Sequence, residues 1–95
     1  MEKKLSFNLD SQDEKFAYID PYYIISENGR VYSFYCYRFL KHFTSTRGFI
    51  QVNIHSRNQF VHKLMAEAFS GGKVSWVQFK NGNRMDLRLA NLEWR

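Results

Sequence analysis

The apolar period of this chain changes at Phe60. Phe60, Val61, Leu64, Met65, Ala68 and Phe69 fall at i, i+1, i+4, i+5, i+8 and i+9, a stripe of helical spacing. Lys63 and Glu67 sit off the stripe as an i,i+4 pair, Asn58 or Ser56 is placed to cap the start, and Gly71-Gly72 stops the helix. Upstream the chain reads as short strands instead. Tyr22 to Ser26 is a strand, Glu27-Asn28-Gly29-Arg30 a hairpin turn, and Val31 to Phe39 a second strand. Phe49 to Ile54 alternates apolar and polar, as a half-buried strand does, with a turn near Ser56-Arg57-Asn58-Gln59. Beyond the helix come a strand at Val74 to Phe79 and a turn at Lys80-Asn81-Gly82-Asn83. Asp86 is placed to cap a short last helix that carries Leu87, Leu89 and Leu92 to the core. The sum is a small α+β fold: antiparallel strands and hairpins, then one longer and one short helix. It occupies residues 18–95 as one domain, after an acidic leader or edge strand over residues 1–17.

With 95 residues there is room for one core and not two. An aromatic content of 18% is too high for a disordered tail. No run approaches the roughly 20 apolar residues that span a bilayer, so no membrane is expected. The N-terminus lacks the apolar segment of a secretory signal, and the single Cys36 excludes an internal disulfide and cysteine-based zinc frameworks. A cytoplasmic setting follows as the expectation, the host cytosol if the chain is phage-encoded. The net charge of +5 is unevenly spread. Residues 1–20 carry five acids and three bases, whereas the remainder carries eleven bases and only four acids. A basic body behind an acidic leader suggests a polyanionic partner, with a merely solvated surface as the plain alternative.

Three segments carry a resemblance. Phe60-Val61-His62-Lys63-Leu64-Met65-Ala66-Glu67-Ala68-Phe69 resembles the helix of phage-type HNH homing endonucleases, where V-H-R-L-V-A-E-A-F is typical. Val77 to Trp94 is similar without a gap to that family's V-N-H-x-D-G-N-K-x-N-N-R-x-x-N-L-E-W. Tyr23 to Ser33 looks like the Y-x-I-S-x-x-G-R-V-x-S element often found upstream of the nuclease domain. Three motifs in the family's order make the pattern specific. The resemblance implies an HNH-like ββα-type C-terminal part.

The departures fall on the chemistry that the resemblance implies. The family's general base is the His of V-N-H, and the residue before it can bind the metal; here they are Phe79 and Gln78. A phenyl ring takes no proton, and a neutral amide is a poor ligand for a hard divalent cation. Asn81 replaces the family's Asp, and Asp86 and Leu87 replace its paired Asn. Asn83 and Asn91 survive, Asn91 matching the middle Asn of HNH. The chain ends at Arg95, ahead of the position where the family supplies its final metal ligand. Loss of a general base alone removes a factor of roughly 10²–10⁴. The expectation is a degenerate nuclease domain: no enzyme, no catalytic residue, no metal and no cofactor. His42, His55, His62 and Cys36 show no metal-ligand spacing, and His62 within its helix reads as a packing residue or as the donor of a surface hydrogen bond.

Binding residues are sought among the bases and aromatics that remain. Arg38 and Lys41, with Tyr35 and Tyr37, make a candidate platform on the strand after Gly29, rings for stacking and cations for phosphates. The alternative is that this face is covered by the leader or another strand. Lys80, Arg84 and Arg88 recur every four residues around the last turn, beside Asn83 and Asn91; Arg30, Arg47 and Lys63 complete the set. A chain of this kind acts by occupying a site. It is either a small RNA- or DNA-binding module, or a phage or mobile-element inhibitor, of anti-CRISPR type, directed at a nucleic-acid-processing complex.

Overall fold

A computed structural model describes residues 14–95. Of the leader expected over residues 1–17, positions 1–13 lie outside the described residues. Its end is structured: strand β1, Phe16–Asp20, pairs antiparallel with β2, Tyr23–Ser26, through Phe16↔Ser26 and Tyr18↔Ile24. The turn between them is closed by the Asp20 carboxylate, whose Oδ1 accepts the backbone N–H groups of Tyr22 (2.8 Å) and Tyr23 (3.1 Å). β2 continues into β3, Val31–Ser33, around the expected Asn28-Gly29 turn, and β3 pairs with β4, Arg38–Phe39, to complete a four-stranded sheet in sequential order. Gly29 alone takes the left-handed conformation in that turn (φ 85°). Ser26 Oγ accepts the N–H groups of Asn28 and Arg30, both at 3.0 Å.

The continuous strand expected over Val31 to Phe39 is broken, and this corrects the placement of its aromatics. Ser33 Oγ accepts the N–H groups of Tyr35 (3.1 Å) and Cys36 (3.3 Å), and Tyr37 adopts φ 56°. A serine whose side chain bonds two residues onward competes with the sheet ladder and turns the chain. Tyr35 and Tyr37 therefore stand on a turn, not on one face of a strand.

A second sheet follows, β5 (Phe43–Thr44), β6 (Ile50–Ile54) and β7 (Arg57–Phe60). In β6 the residues Ile50, Val52 and Ile54 are buried and Asn53 is exposed, the alternation read from the sequence. The turn expected at residues 56–59 lies earlier, at His55-Ser56, both with positive φ (54° and 63°). That is the conformation of a two-residue hairpin matched to strand twist. Arg57 to Gln59 thereby join β7. The strand runs directly into helix α1, Val61–Ser70, so its N-cap is Phe60 in extended conformation, and neither Asn58 nor Ser56 caps it. Val61, Leu64, Met65 and Ala66 are buried, and Gly71 ends the helix at φ 82°, its N–H bonded to Glu67 O. Fully burying Val61 or Met65 contributes about 1.5–3 kcal/mol each.

The C-terminal part is a third, two-stranded sheet. β8, Val77–Phe79, pairs antiparallel with β9, Leu92–Trp94, through Val77↔Trp94, Gln78↔Glu93 and Phe79↔Leu92. β8 is shorter than the strand expected from Val74. The short last helix is a single 3-10 turn, Leu89–Asn91, with no side-chain cap: Asp86 is engaged by Arg88 instead, and Leu92 opens β9. Leu87 and Leu92 are buried and Leu89 packs against the core, as expected. One apolar cluster joins all three sheets to α1, including Tyr23, Ile25, Val31, Val52, Ile54, Met65, Leu87 and Leu92. The architecture is α+β with antiparallel strands. The Leu89 N–H also donates to Glu27 O (2.7 Å), which ties the first hairpin to the C-terminal loop.

Candidate nucleic-acid interface

Asn91 organises the loop between β8 and β9. It is only 6% exposed, and its carboxamide is fully engaged. Oδ1 accepts the N–H of Asn81 (3.1 Å), while Nδ2 donates to Asn81 Oδ1 (3.0 Å) and to Asp86 O (3.0 Å). Its backbone oxygen accepts the N–H of Lys80 (2.7 Å). Asn81 in turn donates from Nδ2 to Asp86 Oδ2 (2.9 Å). Arg88 closes the network with a two-pronged contact to Asp86, Nε to Oδ1 at 2.8 Å and Nη2 to Oδ2 at 2.7 Å. The Arg88 guanidinium, with help from the Asn81 amide, holds the Asp86 carboxyl well below the usual carboxylate range. Of the sequence candidates, Arg88 is thus already neutralised by its neighbour, and Asn91 faces inward as a scaffold.

The end of β8 opens on a cleft of about 310 Å³ lined by Phe49, His62, Gln78, Phe79, Gly82 and Arg84. Its wall is aromatic. The Phe79 ring lies 5.0 Å from His62 and 6.4 Å from Phe49, and Phe49 and His62 stack at 5.3 Å. Burial, helped by the neighbouring Lys63 charge, lowers the His62 pKa and so favours the neutral ring, and its buried Nδ1 meets no partner among the described residues. Arg84 extends over the Phe49 ring, 4.5 Å from its centroid, and donates to the backbone oxygen of Arg47. Two candidates 37 positions apart, Arg47 on the β5–β6 loop and Arg84 on the β8–β9 loop, thus meet through the Arg47 backbone oxygen. Gln78 points across the small sheet, donating from Nε2 to Glu93 Oε1 (3.2 Å). Lys80 and Asn83 are exposed on the adjoining turn.

The other candidates lie apart from this cleft. Arg38 and Lys41 flank a second cleft of about 560 Å³ with Phe39, Leu40, Phe43 and Asn53. Tyr35 stacks on Tyr22 at 4.7 Å, and Tyr37 is 75% exposed. Lys63 lies in a groove with Arg57, Glu67 and Lys73. Arg30 is paired with Glu14 (2.8 Å) and lies 4.1 Å over the Phe39 ring. Phe49 and Lys73 were not among the sequence candidates. Phe49 could have been found, since it opens the alternating run that becomes β6; nothing in the sequence marks Lys73.

A hard divalent cation asks for several oxygen ligands, usually carboxylates. The residues at the end of β8 do not fit one. Gln78 is an amide, Phe79 has no donor atom, and Asn91 has spent its carboxamide on the loop. Among the described residues no group of three or more His, Cys, Asp or Glu could hold a metal ion. Nor is any described helix long and apolar enough to cross a membrane.

No family model matches the chain. It is similar to an uncharacterized HNH endonuclease of Acanthamoeba polyphaga mimivirus, 34% identical over 103 aligned positions that cover 97% of this chain and 25% of that protein. Its fold is similar to a solved structure of DNA binding and cleavage by the HNH homing endonuclease I-HmuI. There the TM-score is 0.67 at 27% identity, over 81% of this chain and 48% of that one. The chain therefore spans about a quarter of the viral relative and about half of the structural one. The two likenesses cover 97% and 81% of this chain and name the same kind of protein: this chain carries an HNH-like domain.

Proposed function

We propose that this domain binds nucleic acid through its phosphates and does not cleave it, acting by occupying a site. The observation that carries the reading is the cleft at the end of β8. At the positions where the family resemblance calls for a general base and a metal ligand, Phe79 is packed among rings and Gln78 is paired with Glu93. The cation at its rim, Arg84, remains, anchored on the Arg47 backbone oxygen. Loss of base and metal ligand removes the means of activating water, while guanidinium groups on loops remain suited to phosphate oxygens. I-HmuI, the structural relative, is described as binding and cleaving DNA, which supports a nucleic-acid partner here.

The test is a fluorescence-anisotropy titration with RNA, single-stranded DNA and duplex DNA at two salt concentrations, beside a nicking assay with magnesium and manganese. Binding of about micromolar strength or tighter that weakens steeply with salt is expected, without metal-dependent nicking. Metal-dependent nicking by the wild-type chain that disappears with Asn91→Ala would overturn the non-catalytic part. Failure to bind any of the three ligands would overturn the whole reading in favour of a protein-directed inhibitor of a nuclease complex.

A further inference from the structure

We propose that the cleft at the end of β8 receives one unpaired nucleobase of a single-stranded nucleic acid, stacked against the Phe79, Phe49 and His62 rings, with the adjoining phosphate on Arg84. The inference rests on the nucleic-acid reading above and names the form of ligand that reading leaves open.

Four features point the same way. The wall is formed by three rings, from the β5–β6 loop, α1 and β8, held within 5.0–6.4 Å of one another. Base stacking needs such a surface and is indifferent to base identity, because every base has a π face. The volume of about 310 Å³ lies at the lower end of the roughly 300–1,000 Å³ typical of small-ligand clefts. That admits a single flat ring system. Polar groups stand at its edge: Gln78 Nε2 is taken by Glu93, but Oε1 meets no donor among the described residues and is open to an amino group of a base. Gly82, which also lines the cleft, leaves the approach clear, since a Cβ built there would meet nothing within 4 Å. Arg84 completes the arrangement. Its guanidinium already lies over the Phe49 ring and uses one donor on Arg47 O, which leaves others for a phosphate.

A paired base keeps both faces stacked within its helix and cannot offer one to the cleft without being extruded, so the proposal predicts preference for single strands. The replacement at position 79 then has a positive consequence: the phenyl ring enlarges the stacking surface at the place where an imidazole would have done chemistry.

The decisive comparison holds phosphate charge constant and removes the bases. Two oligonucleotides about ten nucleotides long, one oligothymidylate and one of abasic tetrahydrofuran units, are titrated by anisotropy against the full chain, with a uridine strand and a duplex alongside. Base-bearing strands are expected to bind roughly 5–150-fold more tightly than the abasic strand. Phe79→Leu, which keeps apolar volume but removes the π face, is expected to collapse that ratio toward one, and Phe79→Trp to retain it. Equal, salt-sensitive binding of abasic and base-bearing strands overturns the base cleft and leaves the phosphate reading standing. Absence of binding to every strand overturns both. The wild-type comparison needs no substitution, so a folding defect in either variant cannot mask the answer.

Discussion

Asn91 matches the asparagine at the centre of the HNH pattern, yet its contacts are those of a loop organiser. Both amide hydrogens and the carbonyl oxygen are used within the loop from Asn81 to Asp86, in a position only 6% exposed. Asn91→Ala leaves the Asn81 N–H and the Asp86 carbonyl without their partner and is expected to destabilise the fold by about 1–3 kcal/mol. In urea denaturation the midpoint should fall with an unchanged slope. Asn91→Asp should be worse than alanine, because a carboxylate brought against Asn81 Oδ1 and Asp86 O loses both donors and adds repulsion. Asp86 yields a prediction of pH dependence. Its folded pKa is depressed by Arg88, so the unfolded chain binds the proton more readily. The stabilisation is complete above the ordinary carboxylate value of about 4 and is lost as pH falls toward the lower folded value. Urea midpoints measured across the acid range should therefore fall less steeply for Asp86→Asn than for the wild type.

Between elements, two glycines of nearly equal φ separate backbone conformation from packing. Gly71 ends α1 at φ 82° with open space where a Cβ would stand; Gly29 turns the first hairpin at φ 85° with Leu87 Cδ1 at 2.9 Å and Val61 Cγ1 at 3.3 Å from that position. Gly71→Ala is expected to cost about 1 kcal/mol, the left-handed penalty alone. Gly29→Ala adds overpacking of the contact between hairpin, helix and C-terminal loop, for a total of about 3 kcal/mol. Chemical denaturation of the two variants checks the order. Gly29 and Gly71 were both legible in the sequence as punctuation, as were the stripe of α1 and the alternation of β6, because each depends on neighbours close in the chain. What the sequence hid is competition and distance. Ser33 Oγ outcompetes the ladder and breaks the run from Val31 to Phe39. His55-Ser56 makes its turn without a glycine, so the turn appeared two residues late and Phe60 was denied a capping partner. The cleft itself was half legible. Gln78 and Phe79 stood out against the family pattern, but the ring cluster joins positions 49, 62 and 79, which no local pattern connects.

At the scale of the molecule, the sequence presents many cations, but the fold sorts them by partner. Arg30 is matched by Glu14 and Arg88 by Asp86, whereas Arg47, Lys80 and Arg84 stand in no ion pair among the described residues. Net charge therefore overstates the number of cations ready to meet phosphates, and the salt dependence of binding should count the second group. If about three phosphates are neutralised, the slope of log affinity against log salt should be roughly −2 to −3, shallower than the eleven bases of residues 21–95 alone suggest. Substitutions at the two classes should then act in opposite directions. Arg84→Ala removes a phosphate contact and is expected to weaken binding to all sequences alike while making the slope less negative by about one. Asp86→Asn releases Arg88 from its carboxylate and is expected to tighten binding and steepen the slope by up to about one. Anisotropy titrations of both variants over a salt series measure the pair together. Were Asp86→Asn to leave the slope unchanged while Arg84→Ala reduced it, Arg88 would belong to the scaffold of the loop, and the phosphate path would run along the Arg47–Arg84 rim without reaching the last turn.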